Sequence, residues 1–304
     1  MTHTMTPIER ARLSLEGVAV GDTFGETFFG DPDQVIERIG KRELSEPPWP
    51  YTDDTEMAIS IFEMLAERGH IEQDDLALRF ARRMQPGRGY GRGAHSVLGG
   101  IREGGHWRSL SAMGFRGMGS FGNGAAMRAA PLGAYFADEP AETIVEQARL
   151  SAEITHAHPE GIAGGIAVAM AAAFAWRERH SPQLGSAWLE NVRDAIPPGY
   201  TRDAVSEAIA VAPDAGIVEA TSTLGNGSGV TAPDTVPLCL WVCAHHGRRF
   251  DEALWTTVSA LGDRDTTCAI VGGILALRTG YEGIPAEWRR ARERVPVLDD
   301  FDRP

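Results

Sequence analysis

Two short acidic clusters each combine carboxylates and hydroxyls within four consecutive positions, a set of groups that can bind a metal ion. Asp263 follows Asp53 by 210 residues, and each cluster stands directly before an apolar stretch with helical periodicity. Carboxylate and hydroxyl oxygens are the hard ligands that Mg²⁺ and Mn²⁺ favour. We therefore predict that the clusters converge on one metal site. They are Thr52-Asp53-Asp54-Thr55 and Asp263-Arg264-Asp265-Thr266.

A simpler interpretation of each cluster is a capped helix. Acids in a first helical turn are favoured by the helix dipole, and Asp53 with Glu56 fits a capping box. For the first cluster alone this interpretation stays open. Capping needs only one acid, however, and a cation would relieve the repulsion between two adjacent carboxylates. Neither cluster has the alternating acids, central glycine and distal glutamate of an EF-hand loop.

The segment Gly21–Glu26 offers two further carboxylates among glycines. We interpret Asp22 as a group that satisfies the N–H groups of a loop. Glu26 follows Gly25, and a mobile carboxylate at that position could serve as a metal ligand or as a general base.

A second glycine-rich segment matches a dinucleotide-binding fingerprint only formally. The run from Gly117 to Gly122 reads G-x-G-x-x-G, but no strand precedes it, so we reject a Rossmann interpretation. The segment leads into an alanine-rich helix start, and backbone N–H groups at such a position bind anions. The predicted anion-binding loop consists of Gly119, Ser120, Phe121, Gly122, Asn123 and Gly124.

Aromatic and histidine side chains near this loop have two interpretations each. Phe115 and Phe121 could sandwich a purine ring, or they could be ordinary core residues. His156 and His158 are two residues apart, which disfavours a shared metal; one could contact a phosphate or ribose while the other packs. The segment Asn226–Gly229 is either a loop tip at the cleft or a turn.

The composition excludes several classes of protein. There are 29 Lys and Arg residues against 42 Asp and Glu residues, a formal net charge of −13, so a nucleic-acid groove is not expected. The longest apolar run, Ile162–Trp176, has 15 residues, fewer than the roughly 20 of a membrane span. Cys239, Cys243 and Cys268 are expected to be buried reduced thiols. Because no apolar signal segment follows Met1, we expect a cytoplasmic protein.

Helical periodicity dominates the elements that must position these residues. Thr6-Pro7-Ile8-Glu9 predicts a capped helix from Pro7 to Val20, and strand-like alternation is nearly absent. We predict an all-α fold, a compact multi-helix single domain over residues 1–304, in which residues 285–304 form a surface helix and an extended tail. Another helix is predicted from Met57 to a stop at Gly69. Further helices are predicted for Gln73–Met84, Ala141–Thr155, Gly161–Arg179, Tyr200–Ala212, Thr235–His245, Phe250–Leu261 and Thr266–Thr279. The predicted glycine-rich loops are Gly21–Gly30, Gln85–Gly105, Gly114–Gly124 and Leu224–Gly229.

Five motifs in this order resemble those of the ADP-ribosylglycohydrolase family, which includes the dinitrogenase-reductase-activating glycohydrolase. The resemblance extends from about Pro7 to Gly280, and the motifs are specific as a set although no single one is decisive. They are Gly21-Asp22-Thr23-Phe24-Gly25-Glu26, Thr52-Asp53-Asp54-Thr55, Gly122-Asn123-Gly124-Ala125-Ala126-Met127-Arg128, Thr155-His156 and Gly262-Asp263-Arg264-Asp265-Thr266.

The resemblance implies an all-α fold with a binuclear Mg²⁺ or Mn²⁺ site at the base of a cleft. By the family pattern, Glu26 lies on a flap over the cleft, and the loop Gly119–Gly124 holds a diphosphate. Phe115 and Phe121 stand where the serine-directed branch stacks adenine, which favours that branch. The candidate catalytic acids are Glu26, Asp53 and Asp54. The implied metal ligands are Thr52, Asp53, Asp54, Asp263, Asp265 and Thr266.

The implied reaction is hydrolysis of the bond between the ribose of ADP-ribose and an acceptor side chain, with two divalent cations as cofactors. Glu26 or Asp53 would stabilise the positive charge that develops on the sugar, and the residues do not decide between them. The expected partner is an ADP-ribosylated protein or a small molecule that contains ADP-ribose. Two alternatives stay open: a catalytically silent ADP-ribose binder or immunity-type interaction protein, and a metallo-phosphohydrolase that cleaves the diphosphate. The residues indicate neither the acceptor linkage nor the oligomeric state.

Overall fold

The computed structural model describes residues 5–300. These residues form helices and no β-strand, which confirms the predicted all-α fold class. Two isolated bridges pair Trp49 with Arg292 and Gly122 with Thr231. The helices of the described part are α1 (Pro7–Glu26), α2 (Pro32–Lys41), α3 (Asp53–Arg68), α4 (Gln73–Arg83), α5 (Arg92–Arg102), α6 (Trp107–Gly117), a 3₁₀ turn (Asn123–Ala125), α7 (Ala130–Tyr135), α8 (Ala141–Glu153), α9 (Pro159–Arg177), α10 (Gly185–Ala195), α11 (Tyr200–Ala210), α12 (Ile217–Leu224), α13 (Ala232–His246), α14 (Phe250–Val258), α15 (Arg264–Gly283), α16 (Ala286–Ala291) and α17 (Pro296–Asp299).

Helix α1 begins as the sequence predicts and runs through the centre of the fold. Thr6 N donates to Glu9 Oε2 at 2.7 Å, and Glu9 N donates to Thr6 Oγ1 at 3.4 Å, which are the two bonds of a capping box. Ala11, Leu15 and Val18 on this helix are completely buried. Helix α1 packs against α3 and α7, and above all against α15.

Glycines allow α1 and α15 to approach each other more closely than larger residues would permit. Gly17, Gly21 and Gly25 recur every four residues and therefore share one face of α1. A Cβ added at Gly21 would lie 2.1 Å from the carbonyl oxygen of Cys268, and one at Gly25 would lie 2.2 Å from that of Arg264. The backbones of the two helices are therefore in direct contact along this face.

Two of the predicted loops contain helical segments of six residues or more. The predicted loop over Gly21–Gly30 is wrong as far as Glu26, where α1 ends, because its glycines serve helix packing. The predicted loop over Gln85–Gly105 contains α5, whose Leu98 and Ile101 are buried. Glycines between the apolar residues obscure their helical spacing in the sequence.

Helices α9 and α13 are buried along most of their length. Within residues 5–300, α9 is the one helix long and apolar enough to cross a bilayer, yet 83% of its apolar window is buried inside the fold. A helix that is surrounded by protein needs apolar residues on every face. Cys239 and Cys243 on α13 and Cys268 on α15 are buried free thiols, as predicted.

The segment predicted as a surface helix and extended tail packs against α1. It contains α16 and α17, and its Trp288 and Val295 are buried. Trp288 stacks on Phe24 of α1 with ring centroids 4.5 Å apart. Arg292 pairs with Glu16 of α1 at 2.8 Å, and both side chains are almost fully buried. Residues 301–304 of the predicted tail lie outside the described part of the chain.

Candidate active site

The first acidic cluster forms the start of α3. Thr52 is the N-cap residue, and its Oγ1 accepts a hydrogen bond from Asp54 N at 3.3 Å. The alternative interpretation, a capping box of Asp53 with Glu56, is wrong, because Asp53 is the first residue of α3 and Glu56 accepts a hydrogen bond from the hydroxyl of Tyr90 at 2.7 Å. Capping is performed by a threonine, so it does not account for two adjacent aspartates.

Asp22 holds the first cluster in place from α1. Its buried carboxylate accepts hydrogen bonds from the backbone N–H groups of Thr52 and Thr55 at 3.0 and 3.1 Å. The hydroxyls of the same threonines donate to it at 2.9 and 2.5 Å. Burial raises the pKa of Asp22 to about 6, against these bonds, which lower it. Asp22 does satisfy N–H groups as predicted, but they belong to the first cluster and not to a loop around Asp22.

The second acidic cluster meets the first at the start of α15. Asp263 is the N-cap residue of this helix, and Thr266 lies in its first turn. The Oγ1 of Thr266 lies 3.4 Å from Asp54 Oδ2, an atom that also lies 3.0 Å from Thr52 Oγ1. The predicted convergence of the two clusters is therefore present in the fold.

The carboxylates of the two clusters have strongly perturbed pKa values. Burial, followed by repulsion from Asp22, raises the pKa of Asp53 to about 8. Burial and then the charge of Asp265 raise the pKa of Asp54 well above its usual range, and burial does the same for Asp265. The Oδ1 atoms of Asp54 and Asp265 are buried and have no hydrogen-bond partner within residues 5–300. A cation would stabilise crowded anions with unpaired oxygens of this kind.

The donor set fits a hard divalent cation. Its oxygen-bearing side chains come from two helix starts, and no soft ligand stands among them. Within the described residues, no group of three or more His, Cys, Asp and Glu side chains is already arranged as a metal cage. The fit therefore rests on the chemistry of the donors and on the unpaired oxygens of Asp54 and Asp265.

Glu26 lies in the last turn of α1, and not on a glycine-flanked loop. Its side chain is half-buried, and burial followed by the charge of Asp22 raises its pKa, while Arg264 lowers it. The guanidinium of Arg264 lies 4.4 Å from the centroid of the Phe29 ring. The contact of Gly25 with the Arg264 carbonyl brings this end of α1 to the start of α15.

The predicted anion-binding loop approaches the start of α9 through backbone atoms. Gly119 has a φ of 75°, and a Cβ there would lie 2.6 Å from the backbone nitrogen of His158. Gly161 on α9 faces the loop in a similar way, because a Cβ there would lie 2.6 Å from the carbonyl oxygen of Ser120. Side chains at these two positions would push the loop away from α9.

A buried arginine, which the sequence showed only as the last residue of a motif and without a role, supports the loop. Arg128 donates to the carbonyl oxygen of Gly124 at 3.0 Å and to Thr155 Oγ1 at 2.9 Å, and burial lowers its pKa to about 9. His156 Nδ1 lies 2.8 Å from Thr155 Oγ1, and burial followed by the charge of Arg128 lowers the pKa of His156 to about 3. His156 is therefore neutral near neutral pH. The sequence signal for Arg128 is a single cation within the apolar run Ala125–Leu132.

Asn123 joins the loop to the second acidic cluster. Its Nδ2 donates to Asp263 Oδ2 at 2.7 Å and to Thr235 Oγ1 at 3.0 Å. Asp263 N donates to the carbonyl oxygen of Asn226 at 3.3 Å, and a Cβ at Gly227 would lie 2.8 Å from Asp263 Cβ. The turn at Asn226 and Gly227 therefore packs directly against the second cluster.

Phe121 within the loop and Phe115 before it lie next to each other, with ring centroids 5.9 Å apart. Phe115 is 49% exposed, so the interpretation of this residue as ordinary core is wrong. Phe115 and Arg116 have φ values of 51° and 62° at the end of α6, a conformation that few side chains adopt. Phe121 is half-buried and contacts the ring of His158 at 5.5 Å between centroids. The loop thus carries one aromatic ring and lies next to a second, that of Phe115, which faces solvent.

Comparisons with known proteins point to one family. The family model of ADP-ribosylglycohydrolase matches residues 3–303. ADP-ribosylhydrolase ARH3 of Homo sapiens is 28% identical over 336 residues, which cover 96% of this chain and 91% of that protein. ADP-ribosyl-[dinitrogen reductase] glycohydrolase of Rhodospirillum rubrum is 28% identical over 298 residues, which cover 92% of this chain and 89% of that protein.

A solved structure, that of an ADP-ribosylglycohydrolase-related protein complex, has the same fold. It matches with a TM-score of 0.66 at 24% sequence identity, over 93% of this chain and 92% of that chain. The family model spans nearly the whole sequence, and the motifs that carry the resemblance lie together around one site. The chain belongs to the ADP-ribosylglycohydrolase family.

Proposed function

We propose that this protein is a metal-dependent hydrolase that cleaves the glycosidic bond between ADP-ribose and an acceptor side chain. The observation that carries the proposal is the meeting of the two acidic clusters, with Thr266 Oγ1 3.4 Å from Asp54 Oδ2. The names of the relatives from Homo sapiens and Rhodospirillum rubrum support the removal of ADP-ribose. The partner would accordingly be an ADP-ribosylated protein, and the reaction would reverse protein ADP-ribosylation.

The two clusters would hold two divalent cations, Mg²⁺ or Mn²⁺, from opposite sides. When bound, these ions would neutralise the charge of the acids and polarise the attacking water. The residues of α3 and its cap on one side are Thr52, Asp53 and Asp54, and those of α15 and its cap on the other are Asp263, Asp265 and Thr266.

The glycine-rich loop would bind the diphosphate of ADP-ribose through its backbone N–H groups, which stand before the 3₁₀ turn at Asn123–Ala125. Phe115 and Phe121 would stack on the adenine ring. His156 lies under the loop as a neutral ring that could donate or accept one hydrogen bond. Because Asn123 links the loop to Asp263 at 2.7 Å, a bound diphosphate would direct the terminal ribose towards the acidic clusters.

The carboxylates of the chain would manage charge and proton transfer. Positive charge develops on the ribose as the glycosidic bond loosens, and surrounding carboxylates stabilise it. Glu26 has a pKa raised by burial and lies at the edge of the clusters, so it is suited to accept a proton from the attacking water. Asp53 and Asp54 would face the same sugar from the start of α3.

Two single substitutions test the assignment of the clusters. Asp54→Ala and Asp265→Ala should each lower the release of free ADP-ribose from a modified protein by about a thousandfold or more. Far-UV circular dichroism should show that the helical fold survives. Asp203→Ala replaces an exposed acid on α11 and should keep full activity, which makes it the matched control. Full activity in both cluster variants would exclude the binuclear site.

Product analysis and chelation separate the alternative functions. Free ADP-ribose as the product supports glycohydrolysis, whereas AMP would indicate a phosphohydrolase, and tight binding without turnover would indicate a silent binder. A chelator should abolish turnover, and Mg²⁺ or Mn²⁺ should restore it. Turnover that is indifferent to the chelator would contradict the metal assignment.

A panel of substrates that differ only in the acceptor linkage tests specificity. We propose that serine-linked ADP-ribose is released fastest, because the paired rings of Phe115 and Phe121 support the serine-directed branch. The arginine-linked substrate is the direct comparison. Faster release from arginine would place the protein among the arginine-directed members of the family and would leave the glycohydrolase proposal intact.

A further inference from the structure

A surface cavity of about 570 Å³ lies away from the acidic clusters and is rich in arginine. We call it the arginine cavity. Its excess of cations is notable in a chain with a formal net charge of −13, because the overall field of such a chain repels anions. The charged residues that line the cavity are Arg179, Arg248, Arg249, Arg278, Asp251 and Glu282.

The arginine cavity lies at the opposite end of α15 from the candidate active site. Asp265 is in the first turn of this helix, whereas Arg278 and Thr279 line the cavity near its end. The helical rise of about 1.5 Å per residue puts roughly 20 Å between Asp265 and Arg278. Helix α13 likewise ends directly before Gly247, another lining residue. The cavity is therefore a separate site.

Most of the arginines around the cavity form no salt bridge within residues 5–300. Arg249 pairs with Asp251 at 2.5 Å. Arg179, Arg248 and Arg278 take part in none of the salt bridges formed within residues 5–300. Asp251 is thus already engaged by Arg249. The charge of Glu178 acts on Arg278, and Glu282 stands in the lining, but within residues 5–300 neither carboxylate forms a salt bridge with the other three arginines.

Neutral groups orient two of these guanidinium groups. Arg179 lies 4.0 Å from the Trp176 ring centroid and donates to the Trp176 carbonyl oxygen at 2.8 Å. Arg278 donates through Nη2 to the Ser181 carbonyl oxygen at 2.8 Å, while its Nη1 is buried with no hydrogen-bond partner in the described part of the chain. Carbonyl contacts of this kind fix the direction of a guanidinium but leave its charge available to an anion.

We propose that the arginine cavity binds a small anion with two or more phosphate groups. A planar guanidinium matches phosphate oxygens in a bidentate manner, and three guanidinium groups that are free of salt bridges can contact two phosphate groups together. The one aromatic residue of the lining, Phe250, is buried with 1% exposure, so the cavity offers no ring for stacking a base. Recognition is therefore directed at the phosphates, and the volume of about 570 Å³ accommodates a small ligand.

Titration of the metal-free protein with inorganic pyrophosphate tests the proposal. Calorimetry measures affinity, and amide hydrogen exchange locates the site. We expect protection of residues 247–251 and 278–283, with affinity at least about tenfold weaker in Arg248→Gln/Arg278→Gln. Arg290→Gln, an exposed arginine on α16 outside the cavity, is the control and should bind as the unaltered protein does.

Further measurements keep the test decisive if the double variant is unstable. Arg248 is exposed, so Arg248→Gln alone should fold normally and weaken binding by about threefold. Inorganic phosphate should bind about tenfold more weakly than pyrophosphate; equal affinity would overturn the requirement for two phosphates. Protection confined to residues 119–124, or unchanged affinity in the arginine variants, would overturn the site itself. None of these readouts requires turnover, so they are independent of the proposed function.

Discussion

Glycines are concentrated in α1 and in the loop Gly119–Gly124, and they serve different purposes in the two regions. On α1, Gly17 and Gly21 have helical geometry, and the absence of their side chains lets α15 pack against the backbone. In the loop, Gly119 has a φ of 75°, and the absence of its side chain lets the loop backbone approach the start of α9. The first region brings the acids of the site together, whereas the second shapes the surface beside them.

The difference lies in what surrounds each glycine. A Cβ at Gly21 would meet carbonyl atoms of α15, which cannot move without separating two core helices. A Cβ at Gly124 would meet the ring of His156 at 3.1 Å, and one at Gly117 would meet nothing within 4 Å. Substitutions on α1 should therefore disturb the fold, whereas substitutions in the loop should mainly disturb binding.

The largest effect is expected for Gly21→Ala. Its Cβ would lie 2.1 Å from the Cys268 carbonyl oxygen, so α1 and α15 must separate. We expect the free energy of unfolding to fall by about 3 kcal/mol or more. Gly40→Ala on α2 is the control, since nothing lies within 4 Å of its Cβ, and stability should change by less than about 1 kcal/mol. Urea unfolding measures both; equal stabilities would contradict the close contact of α1 and α15.

The crowding of acids that follows from this contact predicts a pH-dependent stability. The pKa of Asp53 is raised to about 8 and that of Asp54 well above its usual range, so the folded state of the metal-free protein favours the protonated acids. The contribution of these acids to the free energy of unfolding is fully present below the pKa that they have in the unfolded chain. It is lost as the pH rises through their higher pKa in the folded protein. Between about pH 7 and about pH 8 we expect a loss on the order of 2 kcal/mol.

Urea midpoints of the metal-free protein at these two pH values measure this loss. Over this range His156, whose pKa is lowered to about 3, is neutral in the folded state and nearly so when unfolded, so it contributes little. Asp53→Asn should reduce the pH dependence. Stability that increases with pH over the same range would contradict the arrangement of the acids.

A smaller effect on stability is expected for Gly119→Ala in the loop. A side chain there is strained at a φ of 75° and would lie 2.6 Å from His158 N, so the loop must move away from α9. We expect a stability cost of about 1–2 kcal/mol and an affinity for ADP-ribose that is lower by about tenfold. Gly117→Ala is the matched control, because its φ of 86° brings similar strain without the contact. Equal affinities in the two variants, measured by calorimetry, would show that the distance between loop and α9 does not set binding.

The smallest effect on stability is expected for Phe115→Ala. Because this side chain is 49% exposed, the free energy of unfolding should change by less than about 0.5 kcal/mol. If its ring stacks on adenine, the affinity for ADP-ribose should fall by about fivefold, whereas competition by ribose 5-phosphate should not change. An equal loss for both ligands would rule out an adenine contact.

The sequence by itself determines the fold class and identifies the two acidic clusters of the candidate site. Helices are predicted from the spacing of neighbouring apolar residues, without reference to distant parts of the chain. The two acidic clusters can be recognised because each occupies consecutive positions at a helix start. The same local signals predict the capping box at Thr6. The placement of Asp22, in contrast, depends on hydrogen bonds to Thr52 and Thr55, which lie about thirty residues further along the chain.

Only the tertiary structure decided that α1 continues through Gly21 and Gly25, that Arg128 supports the loop, and that Asn123 holds Asp263. The physical reason is that glycine allows both an unusual backbone conformation and a close approach of two backbones. In the sequence, a glycine that adopts an unusual backbone conformation cannot be told from one that lets two helices approach each other. The glycines of α1 contact the backbone of α15, and that helix begins more than 200 residues after Gly25.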